Sequence, residues 1–223
     1  MRVFLITGFG LDKRAFALLQ LPPEPYVLVD LIPVKKGETL PKYALRLSRE
    51  LGVQEGDIVG GVSLGGMLAL EMAKTIPVLG VILIASCIHP RFIKRRFLSF
   101  APLAPYLPDF LVRKIFALIP AILKWQKMLS PSGQALLADI MGNFPPALLR
   151  SLPPMILYWR GCQPPKRFRH IHAACDWLIN VGGPPESLKI IPGQNHLITV
   201  SHPEEVRTFV LETVQEFLNN STG

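Results

Sequence analysis

The 223-residue chain carries 24 Lys+Arg against 16 Asp+Glu, a formal charge of +8, and 49 % of its residues are hydrophobic. That length suits one domain able to bury a sizeable core, and low charge with high apolar content excludes an intrinsically disordered chain. Three cysteines (Cys87, Cys162 and Cys175), odd in number and irregularly spaced, exclude a disulfide framework and a paired CxxC metal site, and read as reduced thiols.

Val3 to Thr7 is a continuous apolar run ending in G-F-G and reads as a buried strand. Tyr26 to Val29 is a second strand, closed off by Pro33. Leu40 to Leu51 places Leu40, Tyr43, Ala44, Leu47 and Leu51 at helical spacing. Ile58 to Val62 reads as a strand, Leu64 to Ile76 as a helix ended by Pro77, and Val81 to Ala85 as a strand again. After His89 the pattern turns helical, with segments at Phe110 to Phe116, Ala121 to Leu129, Gly133 to Met141 and Ala147 to Trp159 separated by prolines. Strands resume at Phe168 to Ala173 and Leu188 to Ile191, and Pro203 to Leu218 closes the chain as a helix with an apolar stripe. Alternating apolar strands and helices predict a mainly parallel sheet covered on both faces, interrupted by a helical insertion. The expected division is a core of residues 1–90 and 166–223 with an insertion at 91–165.

The longest uncharged stretch, Thr75 to Pro90, has 16 residues and contains Pro77, short of the ~18 apolar residues that a membrane-spanning helix needs. The apolar run after Arg2 is too short for the core of a signal peptide, so the expectation is a cytoplasmic protein. Charge is divided unevenly. Residues 91–169 hold 13 Lys+Arg and only Asp109 and Asp139 as acids, a net +11, and 11 of the 22 prolines; the remainder nets −3.

Gly61 to Gly65 reads G-V-S-L-G between a predicted strand and a predicted helix. A serine on such a tight turn has its hydroxyl raised above the sheet edge at a helix N-terminus, and its neighbours two positions away must be small. Ser63 is therefore the candidate nucleophile; the P-loop pattern that would make this turn a phosphate cradle is absent. A serine needs a base, and the base an orienter. His196, in a polar loop after the last strand, is favoured as base over His202 at a helix cap, His170 and His172 within a strand, and His89 at the insertion's entry. Asp176, after the strand F-R-H-I-H-A-A, is the candidate acid in the order Ser, Asp, His; Asp30 is the runner-up, and Asp139 lies in the insertion. Backbone amides of Leu64 and of Phe9, in the T-G-F-G turn, are the candidate oxyanion hole, and the Phe9 ring is a candidate pocket wall.

Together these segments resemble the α/β-hydrolase fold, in its small, capped esterase form, along essentially the whole chain. T-G-F-G-L-D at 7 to 12 is similar to the family's oxyanion turn, and G-V-S-L-G-G to its nucleophile elbow. I-H-A-A-C-D-W-L-I is similar to the acid-bearing stretch, and N-H-L-I-T-V-S-H-P-E-E-V to the histidine loop and final helix. The resemblance implies a Ser63–His196–Asp176 triad, a Phe9 and Leu64 oxyanion hole and no cofactor or metal. Its nearest subfamily is the pimeloyl-acyl-carrier-protein methyl ester esterases and related carboxylesterases. The sequence departs from the pattern at Thr7, usually histidine, at Ala173, usually glycine, and in a short G-G-P-P link between acid and base that leaves no room for the usual helix.

The insertion resembles the family's helical cap, in which Phe97, Phe100, Leu103, Tyr106 and Leu107 would offer an apolar ceiling for an acyl chain or form the cap's own core. Its basic run, Arg91, Lys94, Arg95 and Arg96, leads to two expectations about partners beyond a small-molecule ester: an acidic acyl carrier protein, or an anionic membrane surface. No recognised nucleic-acid motif accompanies the charge. The expected activity is ester hydrolysis through an acyl-enzyme. A carrier-linked ester or thioester hydrolase, and a non-hydrolytic lyase or ligand receptor, are the alternatives, because fold alone does not fix chemistry.

Overall fold

Every apolar run read as a strand is a strand of one sheet. In the computed structural model, residues 1–99, 101–125, 129–193 and 196–220 are described, 120–125 as backbone. Strands β1 (Val3–Ile6), β2 (Tyr26–Val29), β3 (Ile58–Val62), β4 (Gly80–Ile84), β5 (Phe168–Ala173) and β6 (Leu188–Ile191) form a six-stranded sheet in the order β2-β1-β3-β4-β5-β6. All five pairings are parallel. The helices are α1 (Leu40–Leu51), α2 (Leu64–Ala73), α3 (Arg95–Leu98), α4 (Asp109–Trp125), α5 (Pro131–Asn143), α6 (Pro146–Leu157), α7 (Ile198–Ser201) and α8 (Pro203–Asn219). This is the α/β-hydrolase fold that the sequence predicts.

Alternate residues of the central strands serve two cores, which is why those strands are apolar throughout rather than alternating. Phe4, Ile6, Val59, Val81 and Leu83 face α1 and α2. Val3, Leu5, Ile58, Ile82 and Ile84 face α8, whose Val206, Phe209, Val210, Val214 and Phe217 form the predicted stripe. β1 is followed in the sheet by β2 on one side and β3 on the other, so the order reverses between β1 and β3. The crevice outside the strand ends at such a reversal is where open parallel sheets bind ligands.

Between β4 and β5 the described residues form helices and turns and no strand. The structure departs from the sequence reading here in one respect. Phe110 to Phe116 and the start of Ala121 to Leu129 are one helix, α4, running through Pro120. A proline in a helix interior costs about 3 kcal/mol. Covering an apolar side chain contributes up to about 1.5–3 kcal/mol, so the inner face, with Val112, Phe116 and Ile119 packed against the two cores, offsets the break. α2 stops at Ala73 rather than Ile76, because the residue before Pro77 is disfavoured in helical geometry. The link between β5 and β6 carries one 3-10 turn (Pro185–Ser187) and no α-helix, as the G-G-P-P stretch implied. Among the described residues, no helix is long and apolar enough to cross a membrane.

Candidate active site

Ser63 stands between β3 and α2 at φ 52° and ψ −115°, a conformation that side-chain-bearing residues rarely adopt. The turn is possible only because its neighbours lack side chains. A Cβ at Gly61 would lie 2.4 Å from the Ile6 carbonyl oxygen, and one at Gly65 would lie 2.1 Å from the same atom. The Ser63 amide donates to the carbonyl of Ile84 (2.9 Å), and its own carbonyl accepts from the amides of Gly66 (3.1 Å) and Met67 (3.3 Å). It also accepts the Ser86 hydroxyl at 2.6 Å, in a fully buried bond. Ala85, at φ 45°, turns the end of β4 so that Ser86 reaches beneath the elbow. No local pattern in the sequence pointed to Ser86; its partner is 23 positions away.

Asp176 and His196 are both buried, and the imidazole Nδ1 lies 2.7 Å from Asp176 Oδ2. The other carboxylate oxygen accepts the amides of Leu178 (2.7 Å) and Ile179 (3.0 Å). A carboxylate only accepts, so Nδ1 of His196 carries the hydrogen and Nε2 is left with a lone pair. Burial opposes ionisation of Asp176, but the electrostatic attraction of His196 and hydrogen bonds from His172, His196 and the Ile179 amide hold it well below the usual carboxylate range.

Behind the acid lies a pair of fully buried histidines. His172 Nε2 is 3.2 Å from Asp176 Oδ2 and 3.2 Å from the Ile179 carbonyl, two acceptors that fix its hydrogen on that nitrogen. Its Nδ1 is 3.0 Å from His170 Nε2. Burial, then the charge of His172, pushes His170 down to about 3. The helical segment also grips the acid loop: Lys94 Nζ donates to the Asp176 carbonyl (2.7 Å) and an Arg96 guanidinium nitrogen to that of Trp177 (2.8 Å). A bridge between Ile93 and Ile179 joins the same two segments. Two members of the basic run are thus tied to the loop that carries Asp176.

Ser63 and His196 open onto one cavity of about 530 Å³, whose other walls among the described residues are apolar or aromatic side chains. Phe9 lines it, edge-on to Phe116 at 5.2 Å. Trp177 lines it too, 5.7 Å from the His196 ring and 5.5 Å from Phe97. Phe97 and Leu107 are walls as the sequence suggested. Leu103 and Tyr106 are not; they are 57 % and 84 % exposed, because their 3-10 turn (Ala101–Tyr106) directs Ala101 and Ala104 inward instead. Phe100 lies outside the described residues. The amides of Phe9 and Leu64 make no backbone hydrogen bond among the described residues. The rejected acids are occupied elsewhere, Asp30 by the Lys13 amide (2.6 Å) and Asp139 by Arg14. Among the described residues no group of three or more His, Cys, Asp or Glu is placed to hold a metal ion.

A family model described as "Alpha/beta hydrolase family" matches residues 3–209. The chain belongs to the α/β-hydrolase family. No curated protein matches it. Among solved structures, a thermophilic esterase from Thermogutta terrifontis shares 18 % identity at a TM-score of 0.69, the alignment covering 97 % of this chain and 90 % of that one. A lipase-esterase related protein from Clostridium acetobutylicum shares 16 % at 0.67, covering 95 % and 93 %. A hydrolase from Pseudomonas aeruginosa shares 14 % at 0.69, covering 96 % and 89 %. At these identities the likeness is one of fold. In this α/β hydrolase Ser63, Asp176 and His196 follow β3, β5 and β6 at the same edge of the sheet.

Proposed function

We propose that this α/β hydrolase cleaves carboxylic esters of neutral, apolar acyl groups through a Ser63 acyl-enzyme. One observation carries the reading: a strained Ser63 and an Asp176-oriented His196 share the wall of a single apolar cavity. In the proposed reaction the Ser63 hydroxyl adds to the ester carbonyl while its proton passes to His196 Nε2. Asp176 stabilises the imidazolium without taking the proton. Negative charge forming on the carbonyl oxygen is met by the amides of Phe9 and Leu64, the latter at the start of α2 where the helix dipole adds to it. Collapse breaks the ester C–O bond, and the alcohol leaves with the proton from His196. Water, deprotonated by the same nitrogen, then releases the acid and restores Ser63.

The helical segment acts as a cap that supplies most of the acyl pocket. p-Nitrophenyl esters of increasing chain length test the reading. The expected result is hydrolysis that rises with apolar chain length until the cavity is filled, and a loss on the order of 10⁶ in kcat for Ser63→Ala. Hydrolysis that survives Ser63→Ala would overturn it, and absence of hydrolysis by the wild type across the panel would favour a receptor or lyase on this fold.

A further inference from the structure

The outer side of the segment that roofs the cavity is both apolar and basic. Of the nine large hydrophobic side chains exposed among the described residues, six lie between Phe97 and Leu118. On α4, Phe110 (70 % exposed) and Leu118 (58 %) stand on one stripe with Lys114 between them, at i, i+4 and i+8. Leu103 and Tyr106 project from the preceding turn. Such a concentration on one covering segment is not the scattered exposure ordinary for soluble surfaces.

Charge on the same segment has one sign. Residues 91–125 contain seven Lys and Arg and a single acid, Asp109, which pairs with Arg150. Arg91, Arg95, Arg113 and Lys114 are exposed and have no carboxylate partner among the described residues. The patch is also continuous with the cavity: Phe97 and Ile115 are exposed residues and cavity walls at once.

We propose that this face docks on an anionic lipid surface, with the mouth of the cavity turned toward the lipid. A bilayer interface takes both halves of the patch together, acyl chains for Phe110, Leu118, Leu103 and Tyr106 and anionic headgroups for the arginines and Lys114. A soluble acidic protein answers the charge but leaves protruding apolar side chains on two separate elements without a matching groove. A second copy of this chain fits worse, since a two-fold dimer through this face sets a basic patch against itself. The docking stands on the surface alone; that the lipid side also supplies substrate rests on the proposed esterase activity.

Co-sedimentation with vesicles of phosphatidylglycerol and phosphatidylcholine, against vesicles of phosphatidylcholine alone, tests the docking. Wild-type protein and Ser63→Ala are expected to pellet equally with the anionic vesicles, to release as salt is added, and to stay in solution with the neutral ones. The pairs Phe110→Glu with Leu118→Glu, and Arg113→Glu with Lys114→Glu, each lose about tenfold or more of that binding. Both pairs keep wild-type hydrolysis of a short water-soluble ester, since none of the four residues lines the cavity; this also shows that they fold. Because Ser63→Ala removes hydrolysis and leaves binding intact, failure of the esterase reading and failure of the docking are read separately. The docking is overturned if wild-type protein fails to pellet with anionic vesicles at low salt, or if both charge-reversed pairs bind as well as wild type. A dimer in size-exclusion chromatography that Leu118→Glu dissociates, without vesicle binding, assigns the face to a second copy and equally overturns it.

Discussion

The Ser86 hydroxyl holds the Ser63 carbonyl from beneath at 2.6 Å, so the backbone of the proposed nucleophile is fixed by a side chain that follows the neighbouring strand. Ser86→Ala is expected to cost about 1 kcal/mol of stability in urea unfolding, and to lower kcat while leaving KM nearly unchanged, because nothing in the substrate pocket is removed. His170 offers a pH-dependent counterpart. Its proton affinity is pushed down from an ordinary 6.5 to about 3, burial acting first and the His172 charge second. The unfolded chain takes up a proton below about pH 6.5 that the folded chain refuses until about pH 3. His170 therefore supports the fold fully above that window, and the support drains away as the pH falls through it. Asp176, whose affinity is also depressed, adds its own loss only below the ordinary carboxylate range. Urea midpoints measured along the window should fall less steeply in His170→Leu than in wild type; equal slopes would place the sensitivity elsewhere. The placement of Ser63, Asp176 and His196 beyond strand ends was legible in the sequence because each sits in a short local pattern. Ser86, Lys94 and Arg96 were not, since their roles exist only through partners 23, 82 and 81 positions away.

At the scale of elements, the elbow depends on how closely α2 approaches β1. A methyl group at Gly65 would meet the Ile6 carbonyl oxygen at 2.1 Å and that of Thr7 at 2.7 Å, both rigid backbone. Gly65→Ala is therefore expected to destabilise the protein by at least about 3 kcal/mol and to abolish hydrolysis with it, whereas Gly142→Ala, on helix α5 where an added Cβ meets nothing within 4 Å, should leave activity unchanged and raise the melting temperature slightly, since alanine is the better helix former by about 0.5–1 kcal/mol. The strands were readable because burial on both faces turns each into an unbroken apolar run. The helix through Pro120 was not, since its continuity is decided by what its inner face covers rather than by its own composition. The 3-10 turn that exposes Leu103 and Tyr106 escaped for a related reason: three-residue periodicity over six residues rich in proline and alanine leaves no apolar pattern to follow.

Across the whole molecule, the chemistry and the charge occupy different places. Among the described residues the cavity walls contain no Asp, Glu, Lys or Arg, although the segment that roofs the cavity is strongly basic on its outside. A monoester whose acyl chain ends in a carboxylate must bury that charge unpaired, at a cost of several kcal/mol. Its kcat/KM is expected to fall at least about 100-fold below that of the neutral ester of equal length, a comparison that steady-state kinetics settles directly. The net charge of +8 was legible from the start, and so was its concentration between residues 91 and 169. What it surrounds was not, because the sequence does not show which basic residues turn outward and which, like Lys94 and Arg96, close on the acid loop.

That closure bears on how this protein can be re-engineered. Shortening or grafting the roof is one way to retune selectivity. Here Lys94 and Arg96 bind the carbonyls of Asp176 and Trp177, and Ile93 bridges to Ile179. A chimera joined after residue 96 inherits these ties and keeps its acid in place, whereas one joined before residue 93 discards them together with the old selectivity. The safe seam for transplantation lies inside the inserted segment, a few residues beyond its apparent beginning.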